Sequence, residues 1–407
     1  MNKKLPQLCA PQQCTGCGAC DNSCPVGAIA MNFVEGFKYP QIDNDKCIGC
    51  LACEKACPIL HPVCPPTNEK PIVYAARNKD AEIRRESSSG GAFSALATAV
   101  LSQGGCVAGA AYDEEMVVNH VLIDSLEQLP RLRGSKYVQC SINDNYKNVK
   151  EKLKQGLVVL FVGTPCQVSG LRSFLKKDYD NLYCCDFICH GVPSPLLFAD
   201  YLKWLESNYN CKISSFNFRS KRSGWYDALR VVNDKIVAKG KNDAYFLGFN
   251  RNITLRESCF QCPSIGLPRK GDITIADYWG IGRKYKYEPM TEIEKGVSLI
   301  MVNNEKGGNL VEQAMSYMDC EVRVLEEALA GNKPMVIPSS RPTARDTFYK
   351  DRENLSFEDL SKKYFALSGK SKCVAWLREN APYDLVVGIR CLSQYITYKK
   401  NGRNKRI

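Results

Sequence analysis

Histidine is nearly absent: His61, His120 and His190 are the only three in 407 residues, so no acid–base pair can be picked from imidazoles. Apolar runs are short too. No stretch approaches the ~20 residues that span a bilayer, so no transmembrane segment is expected. The opening MNKKLPQLCAPQQC lacks the apolar core of a secretory leader, and the expected compartment is the cytoplasm, where thiols stay reduced. No GxGxxG or Walker sequence occurs, which removes the best-known nucleotide loops. The CxxxCxxC triplet of radical-initiating cluster enzymes is missing as well. No nucleic-acid-binding motif accompanies the basic charge, so nucleic acid is not an expected partner.

Cysteine is abundant, at 22 residues, mostly in CxxC and CxxxC clusters rather than at the wide spacings of a disulfide framework. It reads as a ligand. A length of 407 residues with 44% hydrophobic content allows two or three domains with real cores and excludes disorder as the main state. The formal charge of +12 counts every cysteine as neutral. A cubane held by four thiolates carries about −2, so three of them would bring the total to about +6. The terminal run Lys399, Lys400, Arg403, Lys405, Arg406 reads as a solvated end.

The strongest signal is an internal repeat. Residues 14–25 read CTGCGACDNSCP and residues 47–58 read CIGCLACEKACP, both C-x2-C-x2-C-x3-C-P. This is the bacterial ferredoxin spacing, in which three cysteines of a run wrap one cubane and the fourth reaches the other. Gly16, Gly18 and Gly49 let the loops bend around a small inorganic core with backbone N–H groups aimed at its sulfurs. Cys14, Cys17, Cys20 and Cys57 are therefore assigned to one 4Fe-4S cluster, and Cys47, Cys50, Cys53 and Cys24 to a second. Zinc knuckles are the competing reading, but they do not require ferredoxin order twice over. Cys9 and Cys64 fall outside the pattern and receive no role. The proline-rich ILHPVCPPTNEKP (59–71) then reads as a linker.

Beyond the linker, Phe93, Leu96, Ala97, Val100 and Leu101 share one helical face, so the spacing predicts an amphipathic helix over 91–102. Its start, Ser87-Ser88-Ser89-Gly90-Gly91, offers small side chains and N–H donors at a positive helix end, either a phosphate site or only a cap. In GLVVLFVGTPCQVSGLR (156–172) a buried strand delivers Cys166 to a helix N-terminus, as nucleophile, redox thiol or ligand. A second strand ends at Cys189-His190-Gly191, and CFQC supplies Cys259 and Cys262. These four could close a third cluster at the carboxyl edge of a sheet. Buried cysteine plus a small zinc loop is the other reading.

The motifs SSSGGAFSA (87–95), RGSKYVQ (133–139), VGTPCQVSGLR (162–172), CHGVPSP (189–195), FRSKRSGW (218–225) and CFQCPSIGLPRKGDITIADYWG (259–280) occur in order across roughly residues 72–330. In them the sequence resembles the coenzyme F420 hydrogenase/dehydrogenase beta-subunit family, in the bacterial branch with an N-terminal dicluster ferredoxin domain. The resemblance implies an α+β fold: a dicluster ferredoxin-like domain (1–65), then a mixed α/β flavin-binding body in two parts (66–155 and 156–335) and a basic helical tail (336–407). It implies FAD and a third 4Fe-4S cluster on Cys166, Cys189, Cys259 and Cys262. The flavin would be approached by Ser89, Gly90, Gly91, Ala92, Lys136, Tyr137, Gly163, Thr164 and Pro165, with Asp277, Tyr278 and Trp279 nearby. Cys140 stands where that motif leads one to expect a hydroxyl.

Clusters pass single electrons and hydride chemistry moves two, so a flavin that holds one or two belongs between them. The leading expectation is an iron–sulfur flavoprotein oxidoreductase, fed by a ferredoxin or similar donor and acting on a small-molecule substrate or coenzyme F420. The alternatives are an electron-transfer subunit of a larger hydrogenase or dehydrogenase complex, and an iron–sulfur protein without flavin. Arg84-Arg85 and Lys221-Arg222 would meet an anionic substrate, with plain solvation as the default.

Overall fold

The computed structural model describes residues 4–63, 67–68, 70–239, 243–287 and 289–366, with isolated positions beyond 366. The strands are β1 Ile29–Val34, β2 Phe37–Ile42, β3 Ile72–Asn78, β4 Cys106–Tyr112, β5 Val118–Ile123, β6 Val159–Gly163, β7 Leu182–Phe187, β8 Phe216–Ser220, β9 Leu229–Val232, β10 Lys235–Lys239, β11 Ile273–Asp277, β12 Ser298–Val302 and β13 Met318–Arg323. They form a two-stranded hairpin, a three-stranded sheet β10-β9-β8 and an eight-stranded sheet β13-β3-β12-β11-β7-β6-β4-β5.

The N-terminal unit keeps the 33-residue period of its sequence. Short helices Ala19–Asn22 and Ala52–Lys55 each follow a residue in the left-handed region, Gly18 (φ 75°) and Leu51 (φ 59°). In the second copy a leucine accepts the conformation that glycine takes in the first, a strained choice without a Cβ-free residue. The unit is bound into the body. Tyr146 Oη lies 2.8 Å from the Cys17 carbonyl and 2.7 Å from that of Gln167, Asn22 Nδ2 donates to Asn143 O at 2.7 Å, and Ser194 Oγ donates to Gly36 O at 2.8 Å.

The large sheet is mixed. β4, β6, β7 and β11 run parallel to one another in the middle, and antiparallel strands complete the edges. Every residue of β6 is buried, as expected of a central strand covered on both faces. Strands from both sides of residue 155 interleave: β3 sits between β12 and β13. The two parts of the body therefore share one sheet.

Local chemistry fixes the elements that follow the parallel strands. Thr164 and Gln167 close a capping box at the start of the Pro165–Leu175 helix, with Pro165 in its first turn. Ser194 caps the Pro195–Tyr209 helix by accepting from Leu197 N. The Ala92–Leu101 helix starts at Gly91 (φ 90°) with no side-chain cap of its own. A Cβ on Gly91 would also stand 2.9 Å from Asn78 Cβ, so the turn requires glycine on two counts. Of the expected tail, helices Ala344–Arg352 and Phe357–Tyr364 pack Phe348, Phe357 and Leu360 into an aromatic core with Phe198, Tyr201 and Tyr245. The amphipathic segment DLVVGIRCLSQYITY falls outside the described residues apart from scattered positions.

Candidate functional site

A cavity of about 560 Å³ opens at the carboxyl ends of the parallel strands, the place where open α/β sheets bind ligands. Its size is within the ~300–1,000 Å³ usual for small-molecule sites. Of the residues expected at a flavin, Ser89, Gly91, Ala92, Lys136, Tyr137, Gly163, Thr164, Asp277 and Trp279 line this one cavity. Pro165 lines a smaller neighbouring cavity. Gly90 is pressed against β3 and β12, where a Cβ would meet Ala76 O at 2.3 Å. Tyr278 is fully buried behind the wall, its hydroxyl 3.3 Å from Glu327.

The charged groups around the cavity are tied down. Arg219 donates to Asp277 at 3.0 Å and to Tyr137 Oη at 3.2 Å, and its guanidinium lies 5.2 Å from the Trp279 ring centre. Trp225 Nε1 donates to the same carboxylate at 2.8 Å, and the Trp225 and Trp279 rings stack at 4.7 Å. Lys221 does not meet solvent. Its ammonium donates to Arg84 O at 2.5 Å, Lys295 O at 2.7 Å and Ser89 O, pinning the serine–glycine loop. Burial, and then the charge of Arg84, push the Lys221 amine down to about 7. Lys136 likewise turns its ammonium away, onto the carbonyls of Arg131, Leu132 and Arg133 at 3.0–3.1 Å, and burial pushes it to about 7.

The basic pairs expected near an anionic substrate are elsewhere. Arg84 is buried on Glu292 and Gly296 O, Arg85 pairs with Glu82, and Arg222 pairs with Asp234. Cys140, half-buried, lines the cavity, and burial pushes its thiol up to about 12. His190 does stand beside the cysteines of the smaller cavity, but its ring is held by Asn252 at 2.7 Å.

His120, on β5, lines the cavity and stacks on Phe161 with ring centres 4.5 Å apart. Nε2 is 3.0 Å from the Val162 carbonyl, which assigns the proton there and leaves Nδ1 to accept from Asn145 at 2.6 Å. Burial lowers its pKa from 6.5 to about 4, against the Val162 bond. The unfolded chain binds this proton first as pH falls, so the stabilisation is complete above 6.5 and is lost towards 4. It amounts to about 3 kcal/mol. In His120→Gln the fall of the thermal midpoint between these limits should be visibly shallower than in the wild type; an equal fall would remove His120 as the cause.

The cysteines fall into three sets. Cys166, from the first turn after β6, Cys189, from the end of β7, and Cys259 and Cys262, from the Glu257–Gln261 turn, line a cavity of about 40 Å³ beside the large one. In the N-terminal unit Cys20 feels Cys17, Cys14 and Cys57, whereas Cys24 lies with Cys47, Cys50 and Cys53 around a smaller cavity. Each fourth cysteine thus stands with the other run. Amides face the sulfurs: Ala28 N donates to Cys24 Sγ at 3.2 Å and Gly49 N to Cys47 Sγ at 3.4 Å.

The donor chemistry suits a multi-iron core. Burial, and then repulsion from Cys259, Cys166 and Cys262, push the Cys189 thiol far up. Burial likewise takes Cys166 to about 11 and Cys259 to about 12. Four such thiols ionise together only around a positively charged centre. Among the described residues no group of three or more His, Cys, Asp or Glu is placed to hold a single metal ion.

The sets adjoin. The Pro165–Leu175 helix runs against Cys17, whose Cβ and Sγ would stand 3.0 and 3.1 Å from a Cβ on Gly170. Thr15, between Cys14 and Cys17, lines both the large cavity and the Cys166 cavity. Two features escaped the sequence reading. Cys9, given no role, sits against Cys14 and Cys57, its nearness raising its own pKa and lowering theirs to about 6. Arg256 is buried between two of the sets, and no repeat or motif marked it beyond its place three residues before Cys259.

A 4Fe-4S dicluster unit fused to a mixed α/β body, with more cysteines gathered beside a large cavity, defines the class as an iron–sulfur protein. The chain belongs to the coenzyme F420 hydrogenase/dehydrogenase beta-subunit family. The family's N-terminal description matches residues 73–145 and its C-terminal one residues 157–328, with a 4Fe-4S dicluster domain at 13–59. It is 28% identical over 220 residues to one subunit of the F(420)H(2) dehydrogenase of Methanosarcina mazei, covering 50% of this chain and 62% of that relative's length. It is also similar to a chain of the F420-reducing nickel–iron hydrogenase complex of Methanosarcina barkeri, at 15% identity and a TM-score of 0.46, over 67% of this chain and 93% of that one. No helix among the described residues is long and apolar enough to cross a membrane.

Proposed function

We propose that this chain is an iron–sulfur flavoprotein that moves electrons between three 4Fe-4S clusters and FAD, reducing or oxidising a small metabolite or coenzyme F420. One observation carries the reading: the Cys14/Cys17/Cys20/Cys57 set lies against the Cys166/Cys189/Cys259/Cys262 set, and the latter shares residues with a 560 Å³ cavity. Cys14, Cys17, Cys20 and Cys57 would hold one cluster, Cys24, Cys47, Cys50 and Cys53 the second, and Cys166, Cys189, Cys259 and Cys262 the third. Bound FAD supplies the exchange between one-electron and two-electron chemistry.

The protein's own groups fit that cofactor. Ser89 and Gly91 present a helix N-terminus to a phosphate, with Lys221 fixing the loop from behind. Trp279 and Tyr137 give aromatic walls, and the Arg219–Asp277 pair places a cation and an anion at one edge. The cavity opens at exposed Ser135 and Asn250, while Ala92, Thr164, Arg219 and Trp225 are buried in its inner wall, where polar contacts are stronger than in water.

The relative from Methanosarcina mazei is by name one subunit of a dehydrogenase, and this favours a second reading, an electron-transfer subunit within a larger complex. A ferredoxin or similar donor, and a cytoplasmic setting, belong to the same proposal. Anaerobically purified protein should be brown, release FAD on heating, and pass electrons from dithionite to an acceptor without other subunits. Protein with clusters but no releasable flavin would sink the flavin reading. Flavin without solitary turnover would select the subunit reading.

A further inference from the structure

Arg256 is 0% exposed, yet its three side-chain hydrogen bonds all go to neutral oxygens and none to a carboxylate. Nε donates to Cys14 O at 2.7 Å, and Nη1 to Lys38 O at 3.0 Å and Gln139 Oε1 at 3.2 Å. The guanidinium lies 3.9 Å from the Tyr39 ring centre, and Nη2 has no hydrogen-bond partner. Its chain neighbour Glu257 is engaged by Arg341 and Arg345 instead. The loop of the first cysteine run closes over it: a Cβ on Gly16 would stand 3.1 Å from the guanidinium carbon.

A buried cation with no counter-charge is strongly unfavourable, and proteins keep one only where something opposes it. Besides Tyr39, the ionisable groups that flank Arg256 are thiols of two different sets. Its Nε holds the Cys14 carbonyl of the first run, its own carbonyl accepts from Cys259 N at 3.0 Å, and Thr15, beside Cys14 and Gly16, lines the cavity that Cys166 and Cys259 share. The cavity of Cys24, Cys47, Cys50 and Cys53 is lined by none of the residues that hold Arg256.

We infer that Arg256 is a positioning residue that serves as the shared counter-charge of the Cys14/Cys17/Cys20/Cys57 cluster and the Cys166/Cys189/Cys259/Cys262 cluster, raising the reduction potential of both and not that of the Cys24/Cys47/Cys50/Cys53 cluster. The inference rests on the cluster assignments proposed above. Each added electron makes a cluster more negative, and a fixed cation in a low-dielectric interior stabilises that state. The Cys24/Cys47/Cys50/Cys53 cluster, without this cation, is left at the lower potential, so the chain of clusters is biased towards the cavity.

The test is an EPR-monitored redox titration of the full-length, cluster-loaded protein. In Arg256→Gln, the reduced-to-oxidised ratio of two clusters at a fixed potential should fall about tenfold, equivalent to ~59 mV for one electron, with the third unmoved. Arg256→Lys, which keeps the charge, should stay near the wild type. Gln139→Glu places a carboxylate on the guanidinium and should lower the same two clusters, so it decides the matter if Arg256→Gln fails to load iron. Loaded variants whose three midpoints stay put, or move together, would overturn the role of Arg256. A wild-type protein that binds no clusters would instead overturn the assignments beneath it.

Discussion

Replacing Cys259 and Cys262 together by serine should lower the iron content from about twelve to about eight atoms per chain, since each cubane holds four irons. Both thiols come from one short turn, Glu257–Gln261 and the residue after it. Their loss leaves Cys166 and Cys189 as two ligands on separate strand ends, too few to hold a core. The eight N-terminal cysteines lie in other cavities and loops, so their iron should remain, and visible absorbance should fall by about a third. Iron and acid-labile sulfide assays read the outcome directly. An unchanged count would show that the third set holds no cluster, and with it the link from the N-terminal unit to the cavity would lose its middle.

What the sequence disclosed was whatever repeats or runs along the chain. The twelve-residue cysteine runs recur as two loops with matching left-handed residues, and the continuous apolar stretch LVVLFV became the buried strand β6. Thr164, Pro165, Ser194 and Pro195 marked helix starts because capping is chemistry within three or four residues. The helix predicted over 91–102 spans Ala92–Leu101. Hidden were the properties that depend on distant partners. Lys136 and Lys221 look like free cations in sequence, and only the fold shows each ammonium spent on main-chain carbonyls. Arg256 and His120 carry no periodicity, since one residue buried among others leaves no pattern. The joint sheet was equally out of reach, because β3 pairs with β12 and β13 across more than two hundred residues.

Asp186→Ala should weaken the body by roughly 3–5 kcal/mol, the usual result of leaving a buried cation without its partner. Asp186 is 0% exposed and is the penultimate residue of β7, three residues before Cys189. One oxygen accepts from Thr274 Oγ1 at 2.6 Å and from Arg269 Nη2 at 3.2 Å, the other from the amides of Lys270 and Gly271 at 3.2 and 3.1 Å. Arg269, itself buried, reaches on to Ser264 O at 3.3 Å, two residues beyond Cys262. A single carboxylate therefore fastens the strand that delivers Cys189 to the loop that delivers Cys262. Its removal strands the guanidinium and frees both ligands at once, so the urea midpoint should drop and iron should fall with it, towards the count of the double serine variant. Asp186→Asn keeps an acceptor oxygen but not the charge, and should lie between the two. A variant that unfolds with the wild type and keeps all its iron would mean that the loop is held by its other contacts, with Asp186 contributing little to either.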